Sequence, residues 1–249
     1  MHRRFHAPEV ERTGDVVELP RDEAQHLFRV LRLKVGAAIR VFNGRGAEFD
    51  AVIAAVSKDG ARVLVGPGRD AAPEAHVAVT LAQAVLKGDK MDDVVRDAVM
   101  MGVAAIQPLV ATRSEVALAA LQRGHRQERW QRIAVSSAKQ CGRAVVPAVL
   151  EPRAFKDLSA SLMDMRLPSP GLMFVEPSAS ADVMSLGDLD AVHPRQTTVL
   201  IGPEGGWTVE EIDGGSTACR LVTLGARTLR ADGMAIIALT ALFARWRVL

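Results

Sequence analysis

Gly66-Pro67-Gly68-Arg69-Asp70-Ala71-Ala72-Pro73 divides the chain into two unlike patterns. Before it, short apolar runs are separated by Asn43-Gly44-Arg45-Gly46 and Lys58-Asp59-Gly60. Asn-Gly and Asp-Gly dipeptides between such runs are hairpin signals. The spacing predicts strands over 16–19, 38–42, 47–56 and 61–65, hence a small β-barrel. Beyond residue 73, apolar runs alternate with helical periodicity, the mark of a parallel α/β sheet. The Gly- and Pro-rich tract reads as a linker, so domains of 1–72 and 73–249 are expected.

In the first domain, Asp22 is placed to cap a helix running to Arg32. His26, Arg29 and Arg32 then share one face, and Leu27, Val30 and Leu31 turn to the core. His26 reads as a barrel-face contact. In the second domain, strands are predicted over 77–84, 104–109, 145–150, 172–175, 198–201 and 221–224. Helices are predicted from Asp89 or Lys90 to Met101, over 118–139 with a break near Gly124, over 155–165, and over 233–247. Pro168-Ser169-Pro170-Gly171 reads as a loop. The last helix is apolar almost all round, so it must be covered on most sides, by the chain itself or by a second subunit.

Composition adds bounds. No apolar run is long enough to span a bilayer, and residues 1–8 lack the apolar segment of a secretory signal. A cytoplasmic protein is expected. Cys141 and Cys219 lie far apart with no metal-ligand spacing, so they read as buried thiols and no metal is expected. The absence of tyrosine argues against a multi-ring stacking platform. Net charge is only +2. Yet Arg123, Arg126, Arg129, Arg132, Lys139 and Arg143 share one stretch with Glu128 as its only acid. That block reads equally as a phosphate-facing surface or a solvated helix face.

Two loops carry the chemistry. Gly202-Pro203-Glu204-Gly205-Gly206 follows a strand and leads into Thr208-Val209-Glu210-Glu211, a capping box. It is neither a Walker loop nor the dinucleotide-binding fingerprint. Its glycines permit close backbone approach to a ligand; the plain alternative is an ordinary strand-to-helix turn. Gly225-Ala226-Arg227-Thr228-Leu229-Arg230-Ala231 follows the next strand. Its backbone could meet the edge of an adenine, with Leu224 and Leu229 on the ring faces. Arg230 is either a pair for an acid or an RNA contact. Loops at neighbouring strand ends frame the crevice where open α/β sheets bind ligands.

These loops, with the helix that follows, resemble the cofactor region of SPOUT methyltransferases. More closely, the chain resembles the RsmE family of ribosomal RNA small-subunit uridine-N3 methyltransferases. The matches run nearly end to end: Arg3-Arg4-Phe5; His26-Leu27 with Arg29 to Gly36; Val41-Phe42-Asn43-Gly44 with Gly46; Leu86 to Asp92; Gly102-Val103 with Ile106, Pro108 and Leu109; Arg113-Ser114; Arg129-Trp130 with Ile133; Gln140 with Gly142-Arg143 and Val146-Pro147; and Ile201 to Gly206. Val99-Met100-Met101, Lys139 and Ala231-Asp232-Gly233 depart from the family pattern.

The resemblance implies a SPOUT-type α/β knot, in which a parallel sheet carries a deep C-terminal trefoil knot, an exception to the unknotted rule. A small PUA-like β-barrel that holds RNA precedes it. It implies S-adenosyl-L-methionine in a three-loop pocket, touched by Phe174, Glu176, Ile201, Gly202, Pro203, Gly205, Gly206, Leu224, Gly225, Leu229, Arg230, Ala231 and Ala235. It implies a homodimer joined through the C-terminal knot region, and methylation of a uridine N3 in 16S rRNA, free or in the assembled small subunit. Because N3 is protonated at neutral pH, the reaction needs a proton acceptor or a stabiliser of the uridinate. Arg113 and Arg230 are candidates for stabilising the anion, and Glu204 for accepting the proton, with loop structure or ribose contact as its alternative. Arg3, Arg4, Arg29, Arg32, Lys87, Lys90, Arg126 and Arg143 are the expected RNA contacts. A methylase of another nucleotide, or an RNA-binding assembly protein with weakened catalysis, stays open at this point.

Overall fold

The computed structural model describes residues 3–164, 171–179 and 182–248. The chain forms two compact units: the residues up to Glu74 together with Val135–Val146, and Ala75–Ala134 together with Pro147–Leu249.

The first unit is a five-stranded sheet. Its strands are β1 (Arg4–His6), β2 (Val16–Glu18), β3 (Ala38–Phe42), β4 (Glu48–Val56) and β5 (Ala61–Arg69), in the order β1-β3-β4-β5-β2. β1 runs parallel to β3, and the other pairs are antiparallel. Along β5, Ala61, Val63 and Val65 point inward while Arg62 and Leu64 point out, the period-2 pattern of a sheet with one buried face. Phe5, Leu27, Val41, Ile53 and Val63 fill the core. Two expectations need correction. β5 runs on through Gly66–Arg69, pairing Gly68 with Phe49 and Arg69 with Glu48, so these residues are strand and not linker. The register shift between Phe49 and Ala51 is a bulge that lets the strand continue past Pro67. The other correction is the first helix. It covers only Arg21–Gln25 (α1), Pro20 sits at its N-cap, and His26–Val30 form a π-turn. The wider turn breaks the 3.6-residue spacing, and Val30 faces solvent where the helical pattern put it in the core.

The second unit holds β6 (Ala78–Ala84), α2 (Lys90–Met101), β7 (Ala105–Val110), α3 (Leu118–Arg123), the start of α4 (Arg126–Cys141), β8 (Ala148–Val149), β9 (Arg153–Ala154) and α5 (Phe155–Asp164). It continues with β10 (Gly171–Phe174), β11 (Met184–Ser185), β12 (Gln196–Ile201), α6 (Val209–Ser216), β13 (Cys219–Thr223) and α7 (Ala231–Arg245). All its strand pairs are parallel, in the order β11-β13-β10-β12-β6-β7-β8, with β9 beside β7. β10 is buried along its whole length, as parallel strands covered on both faces are. Gly102, left-handed at φ 99°, stops α2 as expected. The expected end of a helix at Met165 and the loop at Pro168-Ser169-Pro170 lie outside the described residues.

α7 is less uniform than its sequence. Ala235, Ala238, Leu239, Leu242 and Phe243 are buried, whereas Ile237 is 43% exposed. Cys219 is buried, but Cys141 is exposed, against expectation. Burial pushes the Cys219 thiol up to about 12, so it is inert at neutral pH.

Candidate functional site

The carboxyl ends of β10, β12 and β13 are neighbours, because β10 lies between the other two. The loops leaving them surround a crevice of about 660 Å³. Phe174, Ile201, Leu224, Leu229 and Met234 provide apolar wall; Glu176, Glu204, Arg227, Arg230 and Asp232 provide charge. This is the place where an open α/β sheet binds ligands.

The glycine loop is braced from within the protein. A Cβ at Gly202 would stand 3.1 Å from the Trp207 ring, and one at Gly205 would stand 3.1 Å from Arg113 Cβ. Only Gly206, at φ 67°, needs glycine for its backbone. So at Gly202 and Gly205 the missing side chain makes room for Trp207 and Arg113. Trp207 Nε1 donates to the Phe174 carbonyl at 3.0 Å, tying this loop to the end of β10. Arg113 donates to the carbonyls of Gly205 (2.8 Å) and Trp207 (3.2 Å). The capping box forms as the sequence indicates: Thr208 Oγ1 accepts from Glu211 N–H and Glu211 accepts from Thr208 N–H. The second oxygen of buried Glu211 accepts from Thr112 N–H at 2.7 Å and its hydroxyl at 3.0 Å.

Glu204 accepts from Lys87 N–H at 3.2 Å and from Lys90 Nζ at 3.1 Å. Partial burial works to raise its pKa, but these bonds and its own N–H together hold it below the ordinary carboxylate value. A carboxylate so held is a poor proton acceptor.

The second loop is open. Nothing lies within 4 Å of a Cβ built on Gly225, whose φ is 95°. Arg230 forms a two-pronged pair with Asp232, at 3.1 and 2.9 Å. This pair, then the charge of Lys90 and the helix-start N–H of Gly233, keeps Asp232 below its ordinary pKa. Arg230 therefore is a pair for an acid, and its side chain is 80% exposed at the crevice.

Of the expected cofactor contacts, Phe174, Glu176, Ile201, Gly202, Pro203, Gly206, Leu224, Leu229, Arg230 and Ala231 line the crevice, whereas Gly205, Gly225 and Ala235 do not. Ala235 is buried inside α7 packing. Arg113, Glu204 and Arg230 all reach the crevice. Sequence reasoning passed over Trp207 and Met234; a tryptophan directly after a glycine loop was the available signal.

The expected RNA contacts divide. Arg3, Arg29, Arg32, Lys87 and Arg126 are exposed. Arg4 is not: it pairs with Glu48 and donates to the carbonyls of Ala138, Lys139, Gly142 and Arg143. Arg143 is buried against Glu74 at 3.1 Å. Arg4, with every nitrogen of its guanidinium engaged inside the first unit, and Arg143, paired with Glu74, make internal ties of that unit. Lys90 is half-buried on Glu204. The basic block is also partly neutralised: Arg129 pairs with Asp89 and Asp92, and Lys139 with Glu23. Lys139 also lies over the Phe5 ring at 5.0 Å, which gives this departure from the family pattern a packing role. No group of three or more potential metal ligands occurs among the described residues, and none of the described helices is long and apolar enough to cross a membrane.

Residues 73–243 match the model of an RNA methyltransferase domain, and residues 19–65 match that of an RNA methyltransferase PUA domain. A Synechocystis protein called ribosomal RNA small subunit methyltransferase E is 31% identical over 233 residues, 90% of this chain and 71% of that one. The crystal structure of a ribosomal RNA small subunit methyltransferase E from Neisseria gonorrhoeae bound to S-adenosyl methionine is similar at a TM-score of 0.87 and 30% identity, covering 99% of this chain and 98% of that one. A putative methyltransferase from Legionella pneumophila, in complex with the cofactor SAM, gives 0.88 and 29%, with 98% of each chain covered.

Proposed function

Since the chain belongs to the ribosomal RNA small subunit methyltransferase E family, we propose that it transfers a methyl group from S-adenosyl-L-methionine to N3 of a uridine in 16S rRNA of the small ribosomal subunit. The observation that carries this reading is the crevice at three adjacent strand ends. Its apolar walls suit a flat heterocycle; Glu176 and Asp232 suit an ammonium, and Arg227 a carboxylate. That donor set fits a nucleoside with an amino-acid tail. The bound sulfonium supplies an electrophilic methyl group.

The chain's own contribution is chiefly positioning, which can lower a barrier by about 7–11 kcal/mol when reacting atoms are held in line. Trp207 and Arg113 hold the glycine loop as one wall. Glu204, kept anionic by Lys87 N–H and Lys90, anchors that loop to the start of α2; we assign it this role in place of proton acceptor. Arg230 is the cation with freedom to turn toward uridine. On leaving Asp232 it stabilises the N3 anion as the N3 proton passes to solvent water, and the N3 lone pair then takes the methyl group. Arg113, fixed on two carbonyls, is a positioning residue.

The working unit we propose is a cytoplasmic homodimer joined through α7, whose Ile237 is exposed, as is Met100 on the α2 helix packed against it. Sedimentation of Ile237→Asp should show monomers; an unchanged mass removes the dimer assignment. For the activity, calorimetry should show S-adenosyl-L-methionine binding. Labelled methyl should then enter small subunits from a strain lacking the protein, with N3-methyluridine identified by mass spectrometry. Methyl on another nucleoside overturns the uridine assignment, and no cofactor binding overturns the enzyme.

A further inference from the structure

Within the first unit, Phe5, Phe42 and Phe49 are buried, but Phe28 is 40% exposed. Val30 and Val35 beside it are 67% and 61% exposed. Phe28 lies in a groove with Arg29, Arg32, Leu33, Lys34 and Val56. No acid lines this groove, and Arg29, Arg32 and Lys34 have no ion-pair partner among the described residues. This contrasts with Arg4, Lys139 and Arg143 of the same unit, each neutralised by a carboxylate.

The backbone under the groove is also unusual. His26–Val30 form a π-turn, with Leu31 N–H bonded to the His26 carbonyl at 3.0 Å. Arg32 follows at φ 49°, one of two non-glycine residues with positive φ among those described. Both conformations cost free energy and gather at functional sites. Here they turn Val30 outward and leave Phe28 and three cations around one apolar surface.

We propose that this groove is a single-strand-binding subsite: Phe28 stacks on an unpaired RNA base, and Arg29, Arg32 and Lys34 take the flanking phosphates. A phenyl face with nearby cations suits any base, since every base presents a π-face and every linkage a negative charge. The inference rests on the reading that the substrate is RNA.

The test is fluorescence anisotropy of the full chain with a labelled ten-nucleotide single-stranded RNA, and with the same strand in a duplex. Phe28→Ala should weaken single-strand binding roughly 5- to 150-fold. Phe28→Trp should restore it and Phe28→Leu should not, because stacking needs a ring and burial of apolar area does not. Replacing Arg29, Arg32 and Lys34 by Gln should shallow the log-log salt slope by about two. Cofactor affinity by calorimetry should stay unchanged in every variant. Phe28→Leu binding as tightly as the parent, or equal loss for duplex and single strand, overturns the subsite; so does capture of an acidic peptide or anionic vesicle by the groove in preference to RNA. The two readings fail separately. Phe28-dependent RNA binding without methyl transfer removes the proposed activity, whereas methyl transfer with Phe28-independent binding removes only the subsite.

Discussion

Two of the three loops that frame the crevice, those after β12 and β13, are built differently. The loop after β12 is held at nearly every residue: by Trp207 on Phe174, by Arg113 on two carbonyls, by Glu204 on Lys87 and Lys90, and by Glu211 on Thr112. The loop after β13 has the Arg230–Asp232 pair, one bond from Thr223 to the Gly225 carbonyl, and open space around Gly225. One side of the site is a fixed wall and the other is free to adapt. A fixed wall preorganises the binding geometry, and a free one admits a large substrate and turns a cation toward it.

Perturbing the fixed wall should cost the most. Trp207→Ala removes a buried ring and the tie to β10, so thermal unfolding should show a loss of roughly 3–5 kcal/mol. Glu211→Ala should come next. It opens the capping box and leaves Thr112 without its acceptor, for about 2 kcal/mol by denaturant titration. Arg113→Ala should cost less stability, under about 1.5 kcal/mol, yet weaken cofactor binding through a looser glycine loop. Arg230→Ala should leave stability within about 0.5 kcal/mol, as surface changes do, while cutting the rate of methyl transfer. If Arg230→Ala destabilises the fold as much as Trp207→Ala, the contrast between the loops is wrong.

The smallest effect is a pH dependence. Glu204 is lowered in the folded state, so the stability it contributes is present above its unfolded pKa and fades as pH falls through the folded value. The parent should therefore lose stability below pH ~4.3 slightly faster than Glu204→Gln, a difference reduced by solvent because the group is over one-third exposed. Identical acid profiles would show that the Lys90 contact does not hold the loop.

Much of this was legible in residue order. The capping box at Thr208–Glu211 and the stop at Gly102 depend on a few neighbouring residues, and both form as the local pattern indicates. The break near Gly124 separates α3 from α4, again a local effect. The misreadings have a common cause. Arg4 and Arg143 looked like RNA contacts because Glu48 and Glu74 lie 44 and 69 residues away. That the side-chain space at Gly202 and Gly205 is filled by Trp207 and Arg113 was likewise hidden, because Arg113 comes from a remote part of the chain. Cys141 read as a buried thiol because it lies far from Cys219 with no metal-ligand spacing, though its own position faces solvent.

The sequence by itself determined the two patterns of the chain and the glycine-bearing strand ends, because strand period, turn chemistry and capping act over a handful of residues. Tertiary structure alone decided which charges are neutralised and which glycines are packing glycines. It also decided that β10 lies between β12 and β13, bringing their loops to one crevice. Those outcomes depend on pairings between residues remote in the chain. Burial makes such pairs strong, and composition does not reveal them.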